Sequence, residues 1–468
     1  MSSDTAQPAR DSEESDHQNA EHPLPPYPTE LGPSELHLFY QIRDRLGFGE
    51  KALATRDLYR MKILGQGDTF VLGHPDHMER ALLSDMDKFR KTNDNLIAFG
   101  EGLLAVEGDE WQKQASTLQP LFRRDSVMDY ADGMVEQVRR RTARWTDGDR
   151  FELQREFTDM TLDVIFATLL GRELELGGNP ELREAAENLH EWFVPTSYFL
   201  PDWVPTPSRR RFRQAKQTLE QESQRLLDEK AGDAPTNPME ADDLLSLLVG
   251  LRESGMAEDT GMLTDERLRD QMVTMIFAGH DTTTTTLTFA FWALANNDDV
   301  RQRFHEEVDT LDGEPTLDDL DDLEVTDNLV TETLRMYPPV YSLPRVTEEE
   351  VVVDGYRIPA NETVAFPIRQ IQRDERWFDD PDEFRPSRWD GDLRSEIPNF
   401  AYAPFSGGPR ICIGREFALL EAKLTLATIG REFDLYWLGE NEEDGEPPTA
   451  PEMTLRMAPD QEFLVTER

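Results

Sequence analysis

Apolar side chains recur at helical spacing over most of the chain, with a few short β-patterned runs between, so the pattern predicts a mainly α protein with a small β region. Residues 59–64 and 69–72 read as two strands around the turn Gly65-Gln66-Gly67-Asp68, followed by a helix over 77–83. After a glycine-bearing loop over 92–110, a helix opens near Trp111 and stops near Pro120. Residues 127–170 are helical in pattern and end at Gly171. The longest helix starts at Thr264, with Asp265 and Glu266 in its first turn, and runs to about Asn296. At 1.5 Å per residue it spans about 48 Å. Helices over 300–311, around residues 332–335 and over 415–431 follow, then a strand-rich tail. Between them, residues 351–353 and 356–358 flank Asp354-Gly355, a hairpin signal expected to extend the small sheet. Residues 1–30 carry few apolar side chains and are expected to be a disordered acidic tail, leaving 31–468 as one domain without a linker.

Charge narrows the function. The 468 residues include 49 Lys and Arg against 94 Asp and Glu, a formal net charge of −45. Nucleic acid is excluded as a partner, because phosphate recognition requires a basic footprint. Acidic residues occur in every region and lysine is scarce, which suits a halophilic prokaryote's surface in screening salt. No apolar run reaches the roughly 18 to 20 residues of a membrane span and no signal sequence opens the chain, so a cytoplasmic protein is expected.

Three stretches carry candidate chemistry. The single cysteine, Cys412, lies in Phe405-Ser406-Gly407-Gly408-Pro409-Arg410-Ile411-Cys412-Ile413-Gly414. A lone cysteine usually packs as a small hydrophobe. This one sits in a glycine-rich turn that can aim backbone N–H groups at sulfur, with a fixed cation two residues away. The middle of the long helix, Ala278-Gly279-His280-Asp281-Thr282-Thr283-Thr284-Thr285-Thr286, breaks helix propensity with one glycine and five β-branched residues. Such breaches concentrate at functional sites, although threonines can also bond back to the preceding turn. Glu332 and Arg335 share one helix face, by itself the signature of a surface ion pair.

The spacing of Phe405, Gly408, Arg410, Cys412 and Gly414 resembles the heme-binding loop of the cytochrome P450 family. That resemblance implies a triangular helix-rich prism around a long central helix. It makes Cys412 the axial ligand of heme b iron, with Phe405 and Ile413 beside it and Arg410 on a heme propionate. Trp111 and Arg345 are further propionate partners by the same likeness. The family's basic residue four positions after that tryptophan is absent, since Ala115 stands there; Lys113 and Gln114 are the nearest donors. Ala278 and Gly279 would make room for heme and O2, Thr282 would hydrogen-bond bound oxygen, and Asp281 would relay protons. His280 is read as non-catalytic. Glu332, Arg335 and Arg388 would form a buried network, with Ser387 and Trp389 as departures from the usual partner segment. The aromatic stretch over 188–208, with Trp192, Phe193, Tyr198, Phe199 and Trp203, would form a lid over an apolar substrate. Ser342 and Leu343 would line the pocket.

The expected activity is insertion of one oxygen atom of O2 into a lipid, terpenoid, steroid or carotenoid. No flavin or iron–sulfur segment follows the heme helix, so electrons are expected from a ferredoxin or flavodoxin with its reductase, docking near Lys113, Arg123, Arg124 and Arg415. A peroxide-driven enzyme would not need the Asp281–Thr282 pair, and a gas-binding heme protein would have no use for proton delivery.

Overall fold

The computed structural model describes residues 22–34, 37, 44–63, 67–194, 204–262, 264–442 and 445–468. The helices that frame the site are α1 (Asn93–Phe99), α2 (Gly108–Leu118), α3 (Ala131–Thr142), α4 (Leu153–Thr168), α5 (Pro180–Asn188), α6 (Pro207–Glu229), α7 (Asp265–Asn296), α8 (Glu324–Met336) and α9 (Arg415–Glu432). The central helix α7 begins where the sequence places it: Thr264 accepts a hydrogen bond from the Arg267 N–H at 3.3 Å, and Asp265 and Glu266 occupy the first turn. From Leu268 to Leu294 nearly all its side chains are buried, as expected of a helix that threads a core. Within the threonine run, Thr282, Thr284 and Thr286 have hydroxyl partners, whereas the Thr283 and Thr285 hydroxyls are buried without one among the described residues. Thr286 donates to the Thr282 carbonyl at 3.0 Å, Thr288 to the Thr284 carbonyl at 2.7 Å, and Thr284 meets Thr161 of α4 at 2.9 Å.

Strands β1 (Leu58–Ile63), β2 (Gly67–Leu72) and β3 (Phe89–Arg90) precede the helical body, and β4 (Arg150–Glu152) lies within it. Strands β5 (Leu343–Thr347), β6 (Val351–Val353), β7 (Tyr356–Ile358) and β8 (Thr363–Phe366) follow α8, while β9 (Phe433–Trp437), β10 (Thr449–Pro451), β11 (Leu455–Met457) and β12 (Glu462–Glu467) close the chain. The main sheet has the order β1-β2-β8-β5-β3, with β2 and β8 parallel and the other neighbours antiparallel. It buries a satellite core of Phe70, Leu72, Phe89, Val364 and Phe366, apart from the helical core around α7. The Asp354-Gly355 turn forms, with φ of 50° and 78°, but β6 and β7 make a separate two-stranded ladder instead of extending the main sheet. A tight turn fixes which strands pair locally and says nothing about the third neighbour.

Part of the stretch expected to be a disordered tail, residues 22–30, is bonded to the strands. Pro26 accepts from the Arg60 N–H at 3.0 Å, Pro23 accepts from the Arg357 N–H at 2.9 Å, and the Tyr27 hydroxyl donates to Asp68 at 2.8 Å. Residues 22–30 are thus tied to the strands, while residues 1–21 lie outside the described residues. In the aromatic stretch Trp192 and Phe193 are buried, and the Trp192 indole donates to Asp94 of α1 at 3.1 Å. Tyr198, Phe199 and Trp203 lie outside the described residues.

Candidate active site

The cysteine loop is built by two backbone features. Gly408 has φ of 70°, and a Cβ there would sit 2.5 Å from the Leu82 carbonyl oxygen, so conformation and close approach both require glycine. The Cys412 N–H then donates to the Phe405 carbonyl at 3.0 Å, and the Ile411 N–H to Gly408 at 3.2 Å. Gly414 is the N-cap of α9, so the sulfur lies at the positive end of that helix's dipole. Burial pushes the Cys412 thiol pKa up, and the Gly414 N–H with the Arg415 charge offsets part of that rise. Although protein atoms surround it, Cys412 keeps exposed surface. Phe405 and Ile413 pack against the helical core beside it. At Gly414 φ is −84° and a Cβ would meet nothing within 4 Å, so packing within the chain does not dictate that glycine.

On α7 the half-buried positions Ala278, Gly279 and Thr282 interrupt an otherwise buried run, leaving one stretch of helix surface open. Gly279 has another reason to be glycine: a Cβ would lie 2.5 Å from Ile165 Cδ1 of α4. The space its Cβ would take belongs to the α4–α7 crossing, while Gly279 itself stays half-buried on the open stretch. The Thr282 hydroxyl donates to the Ala278 carbonyl at 2.7 Å, so its proton is engaged while its oxygen can still accept. His280 bonds the Ile276 carbonyl at 2.7 Å and is buried, consistent with a packing role.

Asp281 does not meet solvent directly. It is 4% exposed, accepts a hydrogen bond from the Thr454 hydroxyl at 2.6 Å, and lies 3.7 Å from Arg456 Nε. Burial would raise its pKa, but Arg456, then His280 and Thr454, hold the carboxylate below its ordinary value. Arg456 Nη1 in turn donates to His190 Nδ1 at 3.0 Å, which leaves the His190 Nε2–H facing Glu452, 3.4 Å away. Burial and Arg456 hold His190 neutral, with its pKa pushed down to about 4. Glu452 keeps 26% of its side chain exposed, so a polar chain runs from the buried carboxylate to the surface. Thr454 and Arg456 come from the β10–β11 hairpin, and no sequence signal marked either.

Glu332 and Arg335 of α8 are fully buried and paired through two bonds of 2.9 Å. Arg388 Nε donates to Glu332 at 2.9 Å, and so does the Trp389 indole. Trp389, a departure from the expected segment, is thus a member of the network. Burial raises the Glu332 pKa, but the bond and charge of Arg335, with Arg388, bring it below the ordinary value. A second buried carboxyl was missed by sequence reasoning. Glu421 of α9 is fully buried beside Thr283, and burial raises its carboxyl pKa well above the ordinary value, with Thr283 offsetting part of that rise.

The propionate side can be tested against the expected heme. Arg410 stacks its guanidinium 5.5 Å from the Trp111 ring centre and donates to Glu107 at 3.1 Å, while its Nε is buried without a partner. Arg345, on β5, is 7% exposed and among the described residues donates only to the neighbouring Pro344 carbonyl, at 2.8 Å. Orphaned guanidinium donors beside an indole fit an anionic, flat group. Of the two donors nearest Ala115, Gln114 is already engaged. Gln114 is buried and donates to the Glu101 and Gly261 carbonyls at 3.0 and 3.4 Å, and Lys113 is exposed.

The family model for cytochrome P450 matches residues 54–464. The chain is 33% identical over 410 residues to pentalenene oxygenase of Streptomyces avermitilis, covering 84% of this chain and 87% of that protein. It is 28% identical to cyclooctat-9-en-7-ol 5-monooxygenase of Streptomyces melanosporofaciens, covering 88% and 91%. Among solved structures, a cyanobacterial cytochrome P450 with retinoic acid bound shares the fold with a TM-score of 0.80 at 22% identity, covering 96% of this chain and all of that one.

Proposed function

The chain belongs to the cytochrome P450 family, and from that premise we propose that it oxidises an apolar, terpenoid-class substrate with electrons from a separate ferredoxin or flavodoxin. Membership makes it a heme-dependent monooxygenase. The substrate class is supported by the two terpenoid-oxidising relatives and by the buried Trp192 and Phe193 beside α1. Exposed Lys113, Arg123 and Arg124, with the half-buried Arg415 adjoining the cysteine loop, are the cations we assign to docking the electron donor. Among the described residues no helix is long and apolar enough to cross a membrane.

A heme, which Cys412 would hold, would supply the iron chemistry that divides dioxygen between substrate and water. The chain's own residues govern protons and water. Thr282 presents a hydroxyl oxygen on the open stretch of α7, one residue from Asp281. Asp281 is held ionised by Arg456 and Thr454, and Arg456, His190 and Glu452 continue the polar contacts from that carboxylate toward the surface. The observation that carries the reading is this continuous polar chain, which starts beside Thr282 and ends at solvent; a gas-binding protein would have no use for it.

The test is turnover of a terpenoid panel with NAD(P)H, a ferredoxin and its reductase, against peroxide alone. The wild type should form product only with the electron-transfer proteins. Thr282→Ala should retain its heme-thiolate spectrum while product per NAD(P)H falls and peroxide rises. An unchanged product yield in that variant would remove Thr282 from proton handling, and turnover driven by peroxide alone would overturn the electron-donor reading.

A further inference from the structure

Lys91 directly follows β3, and its ammonium group donates to the Leu103 and Val106 carbonyls at 3.1 and 2.9 Å. An ammonium has three hydrogens, so one donor remains. The Lys91 backbone N–H donates to Glu107 Oε1 at 2.6 Å, the same oxygen that accepts from Arg410. Lys91, Arg410 and Arg345 lie near enough for their charges to act on one another, with Glu107 as the carboxylate that offsets them. Three cations against one anion leave a surplus of two positive charges, and heme carries two propionates.

We propose that Lys91 is an anchor for the heme propionates, supplying with its third ammonium hydrogen the donor that Ala115 cannot. The inference rests on the cytochrome P450 reading and concerns how this chain departs from the family pattern. Crowding three cations in a shielded place is unfavourable unless a counter-ion joins them. The strain is visible in the lysine: burial, then Arg410 and Arg345, push its pKa down to about 7. Arg345 is likewise pushed down to about 10 by burial and Arg410. The competing role for Lys91 is purely structural, a brace for the loop over 103–107. That role uses the two carbonyl bonds and leaves both the third hydrogen and the charge surplus without purpose.

The experiment compares holoprotein of the wild type with Lys91→Gln, which keeps N–H donors for the loop carbonyls but loses the charge, Lys91→Met, which loses both, and Lys91→Arg, which keeps the charge. Transfer of heme to excess apomyoglobin should be about tenfold faster or more in Lys91→Gln and Lys91→Met, the scale of one lost hydrogen bond to a charged group, with Lys91→Arg close to wild type. The propionate bending bands in the resonance Raman spectrum should shift in the two neutral variants and return in Lys91→Arg. Wild-type transfer rates and unshifted propionate bands in Lys91→Gln would overturn the proposal and leave Lys91 as a loop brace. Should Lys91→Met not accumulate, Lys91→Gln alone decides. The red-shifted Soret band of the reduced carbon-monoxide complex should persist in every variant, so failure here is distinct from failure of the heme-thiolate reading, which would abolish that band in the wild type too.

Discussion

Cys412, Asp281 and Lys91 are each defined by what their neighbours do to their charge. Cys412 lies where the Gly414 N–H and Arg415 favour a thiolate against the cost of burial. Asp281 stays ionised in the core because Arg456 outweighs desolvation. Lys91 is the opposite case, a cation whose protein neighbours disfavour its charge. In protein stripped of heme its pKa is about 7 in the folded state, below the ordinary lysine value of 10.5 that applies on unfolding. Between those values the unfolded chain binds the extra proton, so folded stability rises as pH rises through that window; below about pH 7 the penalty is fully present. The heme-free protein is therefore expected to melt at higher temperature at pH 9 than at pH 7, and Lys91→Met should lose this slope. A melting temperature that falls equally in both proteins would show that the lysine keeps its charge unopposed. At this scale the sequence was legible where chemistry is local. The cysteine turn compresses ligand, cation and glycines into ten residues. Lys91, Thr454 and Arg456 were not legible, because each reaches the site from a segment whose own pattern is unremarkable. At Gly279 the sequence did not show that a missing Cβ also serves the packing against α4, which the position of Ile165 reveals.

At the scale of elements, one carboxylate ties α8 to the segment over 381–389. Glu332 accepts hydrogen bonds from Arg335, Arg388, Trp389 and the Arg385 backbone N–H, each at 2.9 Å. Two guanidinium groups depend on it, that of the fully buried Arg335 and that of Arg388, whose side chain is 4% exposed. Glu332→Gln is accordingly expected to lower unfolding stability by about 3–5 kcal/mol, the usual consequence of leaving a buried charge unpaired, whereas Trp389→Phe should lose only about 1 kcal/mol. Denaturant titration of both variants checks this, and equal small losses would mean that the arginines are solvated. The helical pattern placed α7 to within a residue at either end because its cap and its apolar run coincide. It could not tell that β6 and β7 stand apart from the main sheet, since strand order depends on long-range pairing that turn residues do not encode. Nor could it tell that residues 22–30 are held in place, because their order comes from backbone bonds to Arg60 and Arg357 and not from apolar side chains of their own.

For the whole molecule, the central helix joins two kinds of machinery: the open stretch at Ala278 and Thr282, and the polar chain through Asp281 to the β10–β11 hairpin. The cysteine loop, the arginine and lysine cluster and the buried Glu332 network serve that arrangement from other elements, and the helical core around α7 keeps their separations fixed. Its central requirement is that Cys412 is the atom through which heme is held. The most direct measurement is the carbon-monoxide difference spectrum of the reduced protein, taken for the wild type and for Cys412→Ser. The wild type should show the red-shifted Soret band of a heme thiolate and Cys412→Ser should not, whatever heme it retains; persistence of that band in Cys412→Ser would contradict the assignment.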